Sequence, residues 1–233
     1  MVASFCMSGN DCELQQTADG SSTLYSERFG ESYHSMRGAL AESRHVFVAN
    51  GVASCSFTPP IHILEYGFGL GVNLLATLEW SLRTGNGFKY TTLEQYPVSG
   101  DIVRGASFAT DPAVLSLWYA AHEAPWGVEV SLSPQISITK LQVDFLEYHA
   151  PEHSFHIVYF DAFSPSHVPE QWSADIFTDV RRALVDGGAV VTYSAAGVVK
   201  QVLRDTGFAV QRLPGALGKH HMLRAEVPYS SGI

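Results

Sequence analysis

The chain has 233 residues, of which 46% are hydrophobic and 16% charged, and it carries a formal net charge of −9. That length allows one decorated domain or two small ones, and the apolar share lets a folded domain of this size bury roughly 70% of its unfolded surface. Global disorder, a small disulfide module and a repeat array are excluded.

Residues Met1 to Leu14 contain no basic residue and no long apolar run, so neither a secretory signal nor a transit peptide is expected. No stretch reaches the roughly 18 apolar residues of a membrane span. Cys6, Cys12 and Cys55 form no C-x-x-C pair, which argues against a disulfide framework or a zinc site. A soluble protein of the cytoplasm is expected.

In chain order, Ser22 to Arg28 reads as a strand and Glu31 to Asn50 as a helix that Gly51 ends. Residues 1–60 would thus form an α+β extension or cap ahead of a main domain over 61–233. From Ile61 onward, short apolar runs alternate with helical periodicity, the pattern of βαβ units and a mostly parallel sheet. Ile61 to Tyr66 is a buried strand, Val72 to Leu82 a helix and Lys89 to Glu94 a strand. Pro112 to His122 is a helix with Val114, Leu115, Leu117 and Trp118 on one face. Val128 to Val143 alternates and is broken at Ser133-Pro134, as a hairpin or two strands meeting near Pro134. Phe155 to Asp161 suits a central strand buried on both faces. A helix over Ala174 to Leu184 should stop at Gly187-Gly188, with a strand resuming at Ala189 to Ser194. A helix near Val198 to Thr206 and strands at Phe208 to Leu213 and Met222 to Val227 complete the pattern.

The sharpest chemical signal is Glu65-Tyr66-Gly67-Phe68-Gly69-Leu70-Gly71-Val72-Asn73, directly after the first buried strand and opening a helix. Glycines there let the backbone approach a ligand, and the helix N-terminus offers free N–H groups to an anion. The spacing differs from the dinucleotide fingerprint and resembles motif I of class I S-adenosylmethionine methyltransferases. The bland alternative is a tight strand-to-helix turn. Glu94 ends the next strand, where doubly wound folds place the acid that accepts ribose hydroxyl hydrogen bonds. Asp144 precedes Phe145-Leu146-Glu147, a position where methyltransferases often set an acid facing the adenine. Either carboxylate alone could equally be a helix cap or a surface group.

Asp161-Ala162-Phe163-Ser164-Pro165 lies at the carboxyl end of the central strand, where open α/β sheets put their ligand crevice. It resembles the strand-end motif of amine methyltransferases. A protonated alkylamine has no lone pair, so methyl transfer to it needs a proton acceptor and an orienting hydrogen bond. Asp161 is the candidate for both. His149, His153, His156 and Glu152 have no helix to align them across Pro151, so no metal is expected.

With these strings assembled, the chain resembles the methyltransferase domain of the MnmC family, the tRNA 5-methylaminomethyl-2-thiouridine biosynthesis enzymes. The resemblance covers about residues 17–226. It rests on Asp19-Gly20-Ser21, Tyr25-Ser26-Glu27-Arg28-Phe29-Gly30-Glu31 and Glu42-Ser43-Arg44-His45-Val46-Phe47. It continues in the glycine turn, the D-A-F-S-P string, Leu213-Pro214-Gly215, and Gly218-Lys219 before Met222-Leu223-Arg224-Ala225.

The resemblance implies a class I methyltransferase fold, Rossmann-like, with a mostly parallel seven-stranded sheet and helices on both faces. It implies S-adenosyl-L-methionine as donor and, as acceptor, the amine of a 5-aminomethyl-(2-thio)uridine at the tRNA wobble position. Glu65, Gly67, Phe68, Gly69, Gly71, Asn73 and Glu94 would hold the donor, with Asp144 near its adenine. Asp161 would orient the amine. Phe163, Ser164 and Pro165, with Tyr25, Glu27 and Phe29 from the N-terminal section, would shape the pocket. Gln95 stands where many relatives have Lys. The chain leaves no room for the flavin-dependent oxidoreductase domain of bifunctional members, so a free-standing enzyme served by a separate oxidoreductase is expected.

Residues 181–224 hold seven Lys and Arg against Asp186 and Asp205, leaving −14 for the rest of the chain. That basic section is the candidate tRNA face. The competing functions are methyl transfer to a small amine or metabolite and a non-catalytic nucleoside-binding module.

Overall fold

Six consecutive residues, Ile61–Tyr66, all but His62 buried, form the strand around which the fold is organised. In the computed structural model, which describes residues 12–229, Ile61 and Ile63 pack into one apolar cluster while Leu64 and Tyr66 pack into another. The leader reading over residues 1–11 and Cys6 lie outside the described residues.

Strands β1 (Cys12–Gln16), β2 (Ser22–Ser26) and β3 (Glu31–Ser32) form a small antiparallel sheet, followed by helix α1 (Ala39–Ser43), which continues as a π-helical turn over Arg44–Ala49. Then come β4 (Ile61–Tyr66), α2 (Val72–Thr84), β5 (Phe88–Leu93), α3 (Gly100–Gly105), α4 (Pro112–Glu123), β6 (Glu129–Ser133) and β7 (Ile136–Leu141). β8 (Phe155–Phe160), α5 (Ala174–Ala183), β9 (Leu184–Thr192), α6 (Gly197–Asp205), β10 (Ala209–Pro214) and β11 (His221–Glu226) complete the described chain.

The main sheet has the order β10-β11-β9-β8-β4-β5-β7-β6. Its eight strands are one more than expected, because both halves of the 128–143 hairpin join it, with β6 as an antiparallel edge. The four central pairings, β9 with β8, β8 with β4, β4 with β5 and β5 with β7, are parallel. Helices cover both faces, as a buried parallel sheet requires. Ile157 and Tyr159 of β8 share a cluster with α2 and α4 residues such as Leu75 and Trp118, and Val158 and Phe160 share the other with Phe177 and Leu203 of α5 and α6.

Two expected elements differ. The helix expected over Glu31–Asn50 begins only at Ala39, since Glu31 and Ser32 pair with Ser26 and Tyr25, and Gly38 adopts φ 153°. Met36, counted toward an apolar helix face, is 46% exposed. Gly187-Gly188 does not interrupt the sheet. β9 starts at Leu184 opposite Phe155, and a register irregularity before the Ile157–Ala189 pair absorbs the glycines.

From β4 the chain runs outward to β5 and the edge strand β6, turns back into β7 between them, then returns to place β8 on the other flank of β4. The carboxyl ends of β4 and β8 therefore flank the point where winding reverses, the usual crevice of open α/β sheets. Among the described residues no helix is long and apolar enough to cross a membrane.

Candidate active site

Backbone hydrogen bonds gather the strand ends at that switch point. Gly67 N–H donates to Leu93 O (3.1 Å), and Asp161 N–H donates to Tyr66 O (3.0 Å). Gly67, at φ 94°, lies so close to β8 that a Cβ would sit 2.6 Å from Asp161 O. At Gly69, φ 50°, a Cβ would lie 2.7 Å from the Tyr33 ring. Both glycines are thus demanded by conformation and by close approach. Trp118 of α4 buttresses the turn from behind, its indole N–H donating to Leu70 O at 3.0 Å.

A cavity of about 280 Å³ opens here. Gly67, Phe68, Gly69 and Glu94 form its sheet side, Asp161 and Phe163 one wall, and Phe29, Tyr33 and His34 a cover from the N-terminal sheet. Tyr193 and Lys219 close the remaining side. Phe29 stacks on Phe163 at 4.2 Å between centroids, and Tyr33 meets Phe163 edge-on at 5.0 Å. Glu31 fastens the cover, since its Oε2 accepts the Ser164 backbone N–H at 3.0 Å and lies 3.2 Å from His167 Nδ1.

The expected residues separate into four groups. Gly67, Phe68, Gly69, Glu94, Asp161, Phe29 and Phe163 line the cavity. Glu65 and Asn73 lie beneath it: Asn73 Nδ2 donates to Glu65 Oε1 (3.0 Å) and to Asp161 Oδ2 (2.8 Å), and Thr92 Oγ1 donates to Glu65 Oε2 (2.7 Å). Gly71 starts α2 in the left-handed region, and Asp144 accepts from Gln95 Nε2 at 2.8 Å, one residue from the lining Phe145. Tyr25, Glu27, Ser164 and Pro165, expected at the pocket, do not line it. Tyr25 is paired within β2 between Glu13 and Ser32, Glu27 is exposed in the following turn, and Ser164 meets the cover through its backbone.

Burial governs the electrostatics. Loss of solvent pushes the Asp161 carboxyl up to about 7 despite the Asn73 hydrogen bond, and Glu42 and Glu31 add to the rise while Lys219 opposes it. Glu65, fully buried, is pushed up to about 8, also chiefly by desolvation. Glu94 is raised by burial, against the backbone N–H groups of Gly69 (3.0 Å) and Tyr96 (2.8 Å) that its carboxylate accepts. His34 is pulled down to about 4 by burial and is neutral.

His34, Tyr33, Glu42, Gln171 and Tyr193 escaped the sequence reading although all line the cavity. Glu42 Oε2 accepts the Ser35 N–H (2.9 Å) and its Oε1 the Lys219 ammonium, joining α1 to the β10–β11 turn. Only the Glu42 and Lys219 strings of the family resemblance pointed here, and His34 carried no signal of spacing or type.

The basic section is partly spent inside the protein. Arg182 pairs with Glu152 and Asp179, and Lys219 with Glu42. Arg224, 8% exposed, donates to Asn50 O and Ser54 Oγ and pairs with Glu226. Arg204 and Arg212 are exposed. His149 pairs with Asp179, and His156 stacks on Phe57.

A family model described as S-adenosyl-L-methionine-dependent methyltransferase matches residues 129–228. Over that stretch the chain is similar to the S-adenosyl-L-methionine-dependent methyltransferases. It is 31% identical over 229 residues to the tRNA 5-methylaminomethyl-2-thiouridine biosynthesis bifunctional protein MnmC of Burkholderia vietnamiensis, covering 88% of this chain and 33% of that protein. The MnmC of Ralstonia nicotianae is 32% identical over 227 residues with the same coverage. The chain thus spans about a third of the length of the curated relatives it matches. Its fold is similar to the crystal structure of MNMC2 from Aquifex aeolicus, with a TM-score of 0.74 at 24% identity over 94% of this chain and 71% of that one.

The donor of this family suits the cavity. Gly67 and Gly69 form a cradle that a Cβ would fill, and a buried carboxylate, Glu94, stands beside it.

Proposed function

We propose that this methyltransferase transfers a methyl group to the primary amine of a 5-aminomethyl-(2-thio)uridine at the wobble position of tRNA. The observation that carries the reading is the Asp161 carboxylate. Its side chain is 8% exposed, it accepts from Asn73, and it titrates near neutrality beside an aromatic wall and the glycine turn. A general base works best when its pKa lies near the operating pH.

Gly67, Gly69 and Glu94 would hold the donor, with Glu65 and Asn73 supporting the turn from below and Asp144 near the adenine. When bound, S-adenosyl-L-methionine supplies an electrophilic methyl whose bond to sulfur breaks with its electron pair left on sulfur, as the nitrogen pair forms the new N–C bond. Asp161 takes a proton from the alkylammonium and so exposes that pair. Phe29, Tyr33 and Phe163 exclude water from the amine. Residues 1–60 act as a cap on the catalytic domain over 61–233. The tRNA contacts the exposed Arg204 and Arg212 side, in the cytoplasm, with the aminomethyl group supplied by a separate oxidoreductase activity.

The similarity to tRNA 5-methylaminomethyl-2-thiouridine biosynthesis proteins supports the RNA acceptor. A small amine is the second reading, favoured by the internal pairing of Arg182, Lys219 and Arg224. Incubation with labelled donor and bulk tRNA from cells lacking the wobble-amine methyltransferase separates the two. Label in 5-methylaminomethyl-uridine or its 2-thio form is expected. Unlabelled tRNA, with the donor shown to bind, would move the acceptor to small amines.

A further inference from the structure

Asp161 does not face the cavity alone. His34, on the segment after β3, lines the same cavity with its side chain 6% exposed, and its Nε2 has no hydrogen-bond partner. Nε2 lies 3.8 Å from Asp161 Oδ2, beyond hydrogen-bond distance. The far side of the ring is anchored, with Nδ1 3.4 Å from Thr23 Oγ1. A neutral imidazole keeps a lone pair on one nitrogen, and a proton on Nδ1, toward Thr23, makes Nε2 an acceptor. The neighbouring acids are engaged elsewhere, Glu42 by Ser35 and Lys219 and Glu31 by Ser164.

We propose that His34 Nε2 and the Asp161 carboxyl group together accept the two N–H bonds of a primary amine, and that this pair stops the reaction after one methyl. The inference rests on the amine-acceptor reading above. The ammonium gives one proton to Asp161, which exposes the nitrogen pair and leaves two N–H bonds to satisfy. A protonated carboxyl retains an acceptor oxygen, and His34 supplies the second acceptor. Rotation about the C–N bond then sets one N–H on each acceptor and turns the pair away from both, free to form the N–C bond. A secondary amine in the same state has a single N–H. Its methyl would have to lie against one of the two acceptors and leave that buried group unpaired, which disfavours it by about tenfold or more. The pair is therefore a device for counting hydrogens on nitrogen.

The test uses anticodon stem-loop RNAs carrying 5-aminomethyl-uridine or 5-methylaminomethyl-uridine, with affinities measured in the absence of donor at a pH where the amines are uncharged and carry two and one N–H, and products then read by nucleoside mass spectrometry. The wild type is expected to bind the primary-amine RNA about tenfold more tightly and to make only the monomethyl product. His34→Phe should lose that preference and accumulate dimethylated nucleoside, while His34→Gln, with an acceptor oxygen, should retain most of it. Equal wild-type affinity for the two RNAs overturns the proposal without any variant, as does His34→Phe with unchanged preference and product. If the wild type instead neither distinguishes the primary-amine RNA from unmodified RNA nor methylates it, the amine-acceptor reading itself fails.

Discussion

Asn73 Nδ2 lies 2.8 Å from Asp161 Oδ2, and the same amide nitrogen lies 3.0 Å from Glu65 Oε1. One side chain at the start of α2 thereby holds two buried carboxylates on the ends of neighbouring strands. Asn73→Leu would leave both short of a donor. The expected outcome is a stability loss of about 2 kcal/mol or more at neutral pH, shrinking in acid where Asp161 is protonated. Denaturant unfolding at the two pH values checks it, and an equal loss at both would remove the bridging role.

Asp161 reports its burial through pH. Its pKa is raised from 3.8 to about 7, so the folded state binds the proton more readily than the unfolded chain. Its stabilising contribution is complete below about pH 4 and is lost as the pH rises through about 7. Asp161→Asn, which cannot ionise, should therefore raise the Tm by about 3 °C or more in mild alkali and change it little in acid. A thermal melt series gives the answer, and a gain confined to acid pH would have the wrong sign.

Much of this site can be read from the chain alone because its parts are local. The Ile61–Tyr66 and Phe155–Phe160 runs, the glycine turn and the strand-end Asp161 are contiguous signals, and each lands at the switch point. The cover is different in kind. His34 reaches Asp161 across 127 positions, from a segment held by a two-residue strand and turned by Gly38, and no periodicity marks such a place. Glu31 and Glu42 likewise act through partners far along the sequence, Ser164 and Lys219, so their roles emerge only when the small sheet closes over the large one. The expected helix over 31–50 failed for the same reason, since long-range pairing to β2 overrode local pattern.

The glycine turn can be tested apart from catalysis. Ala at position 69 would press on the Tyr33 ring and strain a φ of 50°. Gly69→Ala should raise the dissociation constant of S-adenosyl-L-methionine by about tenfold or more. Isothermal titration checks this, and unchanged affinity would place the donor away from the turn.

Glu31 joins the cover to the D-A-F-S-P segment through the Ser164 N–H. Glu31→Ala should lower kcat/KM for the acceptor about tenfold while donor affinity stays near wild type, because the lost contact orients the acceptor wall and not the cradle. Steady-state kinetics with donor titration separates the two, and a parallel loss of donor affinity would indicate collapse of the whole cavity.

The most direct measurement is the pH dependence of methyl transfer to an RNA carrying 5-aminomethyl-uridine, for wild type and Asp161→Asn side by side, with the product identified as a nucleoside. The wild type should form 5-methylaminomethyl-uridine with kcat/KM rising through an apparent pKa near 7, and Asp161→Asn should bind donor but lose about 100-fold in turnover together with that limb. Near-normal turnover of Asp161→Asn, or methyl found anywhere but on the amine, would contradict the assignment of Asp161 as the base of an amine methyltransferase.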